Sequence, residues 1–270
     1  MGSGIAALVD GNMAFMENSS ELTTRVVVGL GLVGIAGLAL YLGGAAFWLF
    51  VILAAYAMQS EWAGLVKAEK YKKLSLFALT VPLAIMSPYA AGPTFLALGL
   101  IFAAALFVVV VDRSIKLASG LIYVGIPVLA LIFLRAQDNG LLVAFWAMSI
   151  VWATDIGAYF AGRSIGGAKL APSISPNKTW AGLGGGVVAA WILALVLHYY
   201  FGLNEKLVWA SGFLAVAAQM GDLFESHMKR QAGVKDSGTL LPGHGGALDR
   251  LDGLVPVAPL AAVLVLMGNG

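Results

Sequence analysis

The chain has 270 residues, 60% hydrophobic and only 11% charged, with a net charge of +2 and no cysteine. A mean hydropathy of +0.89 excludes an ordinary water-soluble domain, and the missing cysteines exclude a disulfide framework, a zinc–thiolate site and a thiol nucleophile. The net charge says little by itself, and no nucleic-acid partner is expected.

The first 24 residues carry Asp10, Glu17 and Glu21 without Lys or Arg, unlike a secretory signal, which begins with basic residues. From there apolar runs follow at about 26–43, 45–60, 74–90, 93–111, 117–134, 140–161, 181–201, 207–225 and 254–268, each near the ~20 residues that cross a bilayer core. The expected fold is all-α, a polytopic integral membrane bundle of about nine helices, or eight if the short second run does not cross. With Arg25 inside, fourteen of the sixteen Lys and Arg fall on the cytoplasmic side. Only Arg135 and Lys206 lie opposite, so a cytoplasmic amino terminus is expected.

Three regions follow: a segment 1–24, a transmembrane scaffold 25–138, and a catalytic transmembrane region 139–270 with loops on the cytoplasmic side. In the scaffold, the Glu61–Lys73 stretch reads as a solvated mixed-charge loop. Gly29 to Gly37 permits close helix contact, within the chain or in a homodimer.

Ionisable residues in the last region lie within or just beyond spans, where charge is costly and marks a functional cavity. Asp155 shares a helical face with Trp152, Tyr159 and Gly162, and could pair with Arg163. The loop Pro172 to Thr179 has an anion-site composition before a helix. Ser175, Asn177 or Thr179 can cap or donate, and Lys178 supplies charge. Asp222, Glu225, Ser226, Lys229 and Arg230 form one stripe if the eighth helix continues through Arg230.

Beyond it come Lys235, Asp236, the Pro242–Gly246 run with His244, and Asp249-Arg250-Leu251-Asp252. Carboxylates here can hold a hard divalent metal, cations can hold phosphates, and glycine amides can approach an anion. His198 and His227 lack the spacing for a zinc site with His244.

The run Ser226 to Asp252 resembles the signature of integral-membrane phosphatidate cytidylyltransferases, also called CDP-diacylglycerol synthases. It carries Ser226, Met228-Lys229-Arg230, Lys235-Asp236, Gly238, Leu241-Pro242, His244-Gly245-Gly246 and Asp249-Arg250-Leu251-Asp252. Asp155–Arg163 and Ser175–Trp180 look like family segments as well. Ala247 departs from the family, which usually carries a larger aliphatic residue there.

The resemblance implies transfer of the cytidylyl group of CTP to phosphatidate with Mg2+, in a multi-pass protein of the inner, cytoplasmic membrane surrounded by its lipids. It leaves open a second, monovalent cation. It further implies Asp222 and Asp249 as principal metal ligands, with Ser226, Asp252 or Glu225 completing the shell. Lys178, Lys229, Arg230, Lys235 and Arg250 would hold phosphates, Asp236 would belong to the catalytic set, and His244, Gly245 and Gly246 would assist the leaving pyrophosphate. Two rival readings are a cation-coupled transporter, which the one-sided clustering of polar residues disfavours, and a CTP-dependent kinase of a lipid alcohol.

Overall fold

A computed structural model describes residues 27–240 and 245–268. Expectations placed on Arg25, Leu241, Pro242 and His244 lie outside the described residues. The helices are α1 Val27–Leu42, α2 Gly44–Leu65, α3 Lys72–Ile85, α4 Phe95–Asp112, α5 Ile115–Arg135, α6 Gly140–Ile165, α7 Trp180–Phe201, α8 Glu205–Ala232, the single turn α9 Leu248–Leu251, and α10 Leu254–Gly268. An antiparallel hairpin, β1 Lys169–Ala171 with β2 Ser175–Thr179, joins α6 to α7. The all-α expectation contained no such hairpin.

Among the described residues six helices, α2 and α4 to α8, are long and apolar enough to cross a membrane by length and composition. The 14 residues of α3 and 15 of α10 fall short of the ~20 that a perpendicular crossing takes. The second run is longer than expected, because α2 continues through Gln59, Ser60 and Glu61 to Leu65. Outward faces are apolar: Phe77 and Val110 are each 70% exposed and Tyr200 80%, an exterior suited to lipid.

Helix ends are set by local chemistry. Thr179 Oγ1 accepts from Gly182 N at 3.0 Å at the start of α7, and Asn204 Oδ1 accepts from Lys206 N at 2.9 Å at the start of α8. Gly233, at φ 78°, ends α8 in the left-handed region. Arg135 donates from Nε to Leu40 O at 2.7 Å and from Nη2 to Tyr41 O at 3.1 Å, satisfying carbonyls at the end of α1.

Inside, close packing and paired polar groups do the holding, since lipid tails are as apolar as Leu and give helices little hydrophobic reason to associate. Buried Trp146 of α6 donates Nε1–H to Ser211 Oγ of α8 at 3.0 Å. The start of α10 comes close to α8 at Gly221, where a Cβ would meet the Asp252 carbonyl and the Pro256 ring. That approach sets Asp252 beside the carboxylates of α8.

Candidate active site

α8 is 28 residues long, about 42 Å at 1.5 Å per residue, which outruns a ~30 Å hydrocarbon core. Its charged residues sit toward its two ends. Asp222, Glu225, Ser226, Lys229 and Arg230 lie in the last three turns, and the helix continues past Arg230 to Ala232, so the expected stripe forms. Ser226 Oγ donates to Asp222 Oδ1 at 3.3 Å.

On one flank of this stripe, a cavity of about 190 Å³ opens between α6, β2, α7 and α8, lined by Asp155, Tyr159, Asn177, Lys178, Gln219 and Asp222 among others. The hairpin delivers Lys178 into it. Lys178 Nζ donates to Gln219 Oε1 at 2.9 Å and forms an ion pair with Asp222. Gln219 Nε2 in turn reaches Asp155 Oδ1 at 3.4 Å. The alternative pairing of Asp155 with Arg163 is not made, as Arg163 Nη1 donates to Tyr159 OH at 2.8 Å.

On the other flank stands Asp249, its side chain only 6% exposed. Lys229 Nζ donates to its Oδ1 at 2.6 Å. Its Oδ2 accepts from Ser237 N, Ser237 Oγ and Gly246 N, each at 2.8 Å. Burial alone would raise this carboxyl, but the Lys229, Gly246 and Ser237 donors outweigh it and hold it below the ordinary range. It stays an anion and ties α8, the 237 loop and the glycine turn together.

A second carboxylate shares this work. Glu61 of α2, 9% exposed, accepts from Ala247 N on Oε1 and from Leu248 N on Oε2, both at 2.8 Å, and its Oε2 lies 3.1 Å from Ser237 Oγ. The solvated loop expected from Glu61 onward is thus corrected at its first residue, because two backbone amides satisfy the carboxylate inside the fold. A Cβ at Gly246 would meet both Ser237 Oγ and the Glu61 carboxylate, so this close approach requires glycine there.

The remaining acids crowd one another. Glu225 is 2% exposed and lies 3.5 Å from Lys229 Nζ, yet neither of its oxygens makes a hydrogen bond among the described residues. Burial, with the Asp222 charge adding to it, pushes the neighbouring Asp252 carboxyl up to about 6, against the Gly253 N–H 2.7 Å from its Oδ1. A buried carboxylate with only Lys229 to balance it, beside like charges, favours a further cation.

Among the described residues no three acid or imidazole groups are set to hold a metal by themselves. Mg2+ takes one or two protein carboxylates and draws its other oxygens from phosphates and water. Asp222 and Asp249 each already carry a lysine ammonium, which a divalent ion would have to share or replace.

The fold therefore brings Lys178, Asp222, Ser226, Lys229, Gly245, Gly246, Asp249 and Asp252 to one end of the bundle. Thr179 serves as a helix cap. Arg230, Lys235 and Asp236 are exposed, and Ser175 and Asn177 stand on β2. Arg250 is within electrostatic reach of Asp155. A second cavity, about 580 Å³, is lined by Gln137, Asn139, Asn204 and Lys206 among others. It shares no residue with the signature and lies at the ends of α5 and α8 remote from it.

Residues 23–267 match the Cytidylyltransferase family. The phosphatidate cytidylyltransferase of Brucella suis biovar 1 is 38% identical over 264 residues, spanning 92% of this chain and 94% of that protein. Those of Rickettsia bellii and Bacillus subtilis are 43% and 44% identical over 152 and 150 residues, or 52% and 54% of this chain and 65% and 56% of theirs.

Proposed function

The chain belongs to the cytidylyltransferase family, and on that premise we propose that it transfers the cytidylyl group of CTP to phosphatidate, forming CDP-diacylglycerol and pyrophosphate. The observation that carries this reading is the assembly of Lys178, Asp222, Lys229 and Asp249 at one end of an otherwise apolar bundle. At that end a soluble nucleoside triphosphate and a membrane lipid can meet.

A phosphate oxygen of phosphatidate attacks the α-phosphorus of CTP, and the bond to the pyrophosphate leaving group breaks. The nucleophile is already an anion at neutral pH, so the protein needs no strong base. Its task is to hold two polyanions in line and to spread the developing charge. Lys178 faces the cavity and Lys229 the glycine turn, while Arg230, Lys235 and Arg250 offer exposed positive charge to arriving phosphates. Asp222, Asp249 and Asp252, with Ser226 and Glu225, would hold Mg2+, which supplies Lewis-acid stabilisation of phosphate oxygens.

In the nine-span reading with Arg25 inside, fourteen of sixteen basic residues fall on one side, which supports a site in the cytoplasmic leaflet and a cytoplasmic amino terminus. Nine spans result if α1, α3 and α10 cross by tilt or local thinning of the bilayer. Inner-membrane placement and a homodimer belong to the same proposal.

The test is pyrophosphate release by purified protein in mixed micelles, with CTP, phosphatidate or Mg2+ withheld in turn. Release that needs all three, with CDP-diacylglycerol as lipid product, is expected. Release without phosphatidate, or transfer only to a lipid alcohol, would replace the proposal.

A further inference from the structure

Glu61 is a charged residue buried on an apolar helix, 186 positions in sequence from the amide it binds. Buried carboxylates are costly, and their retention demands compensating donors. Two come from consecutive amides, Ala247 and Leu248, one to each oxygen at 2.8 Å. The third is Ser237, whose single hydroxyl proton lies between two carboxylates, 2.8 Å from Asp249 Oδ2 and 3.1 Å from Glu61 Oε2.

Gly246 N and Ser237 N also donate to Asp249 Oδ2. The orientation of Asp249, and hence of Lys229 bound to its other oxygen, therefore depends on where the 237 and 246 segments are held. Glu61 fixes both segments to α2, as Lys229 fixes them to α8 through Asp249. Gly238 and Gly246 leave room for it, since a Cβ at either would run into its carboxylate.

We propose that Glu61 is a positioning residue for the reaction, anchoring the glycine turn and Ser237 so that the Asp249–Lys229 pair keeps its place in the site. The proposal rests on the cytidylyl transfer assigned above. Glu61 itself touches no substrate. A neutral amide in its place keeps the shape but turns an NH2 toward a backbone N–H, so one clamp bond is lost and replaced by a donor–donor contact.

The experiment compares wild type with Glu61→Gln and Ser237→Ala in detergent, reading kcat, KM for CTP and deuterium uptake across residues 245–251. Glu61→Gln is expected to lower kcat on the order of 10²-fold, the scale of a small misplacement of catalytic groups, with KM for CTP within a few-fold and faster exchange at Ala247 and Leu248. Ser237→Ala removes only the hydroxyl link, and is expected to lower kcat less while leaving the two amides protected.

Should Glu61→Gln fail to fold, a wild-type kcat in Ser237→Ala would overturn the proposal. So would unchanged kcat in folded Glu61→Gln, or a rise confined to KM, which would make Glu61 a binding residue instead. If the wild type itself releases no pyrophosphate, the assigned reaction fails and exchange alone decides the anchoring: unchanged protection in Glu61→Gln overturns it.

Discussion

Lys229 and Asp249 meet at 2.6 Å across the junction of α8 and α9, and each has a further tie, Lys229 to Glu225 and Asp249 to three donors of the glycine and serine loops. The pair joins the last turns of a long membrane helix to the segment that carries the signature's second half. A lysine placed this way is less available to phosphate than its sequence position suggests.

Replacing Lys229 by Met should therefore destabilise the protein as well as inactivate it. It leaves Asp249 buried without its cation, a loss of about 3 kcal/mol by analogy with broken buried pairs. Asp249→Asn in the same chain should recover part of that loss. Denaturation in detergent measures both, and a Lys229→Met protein as stable as wild type would show that the pair contributes nothing.

Asp222 is paired differently, with Lys178 from the hairpin and Ser226 one turn on. Asp222→Asn should retain the fold, since Lys178 keeps Gln219, but should lose turnover on the order of 10²-fold, the scale of one electrostatic contact to a transition state. Raising Mg2+ should not restore it. Turnover near wild type would remove Asp222 from the metal shell.

Asp252 gives a pH test. Its folded carboxyl is raised toward about 6, above the ~3.9 of an unfolded chain. Below the lower value both states are protonated and nothing is lost; as pH rises to the higher value the folded state is penalised, and above it the penalty is complete. In chelator, Asp252→Asn should melt higher than wild type at pH 8, by about 3 °C per kcal/mol, and equally at pH 4. A gain that persists at pH 4 would point to packing rather than charge.

How much of this could be read in the sequence depends on range. The α8 stripe is local, since i, i+3 and i+4 spacing fixes a face once the helix continues, and the Thr179 cap follows from a hydroxyl before an apolar run. Glu61 is a long-range partner of a backbone, not of a side chain, so no charge pattern near residue 247 points to it. The one local signal was Gln59-Ser60-Glu61 inside a helix that should have been greasy. Continuing the helix through it would have flagged an intramembrane carboxylate. The hairpin was hidden because Ser-Pro-Asn-Lys reads equally as a capping loop.

Glycine positions separate close contact from mere composition. Gly246→Ala should disrupt the turn, because the added methyl meets Ser237 Oγ and the Glu61 carboxylate. Gly184→Ala in α7 meets nothing within 4 Å and should be neutral or stabilising by up to ~1 kcal/mol from helix propensity. Melting temperatures of the two variants check the contrast; equal effects would mean that the glycine turn yields more than its packing implies.

The chain has no cysteine, so single cysteines can report sidedness without background. Lys235→Cys lies in the exposed segment beyond α8, and Lys206→Cys at that helix's opposite end. With the site in the cytoplasmic leaflet, an impermeant thiol reagent added to intact cells should label position 206 and spare 235, and permeabilisation should expose 235. The reverse pattern would turn the whole bundle over and put the site on the side CTP does not reach. Since α8 is long and apolar enough to cross once, labelling of both positions in sealed cells would instead argue that it does not span, which its ~20-residue apolar stretch opposes.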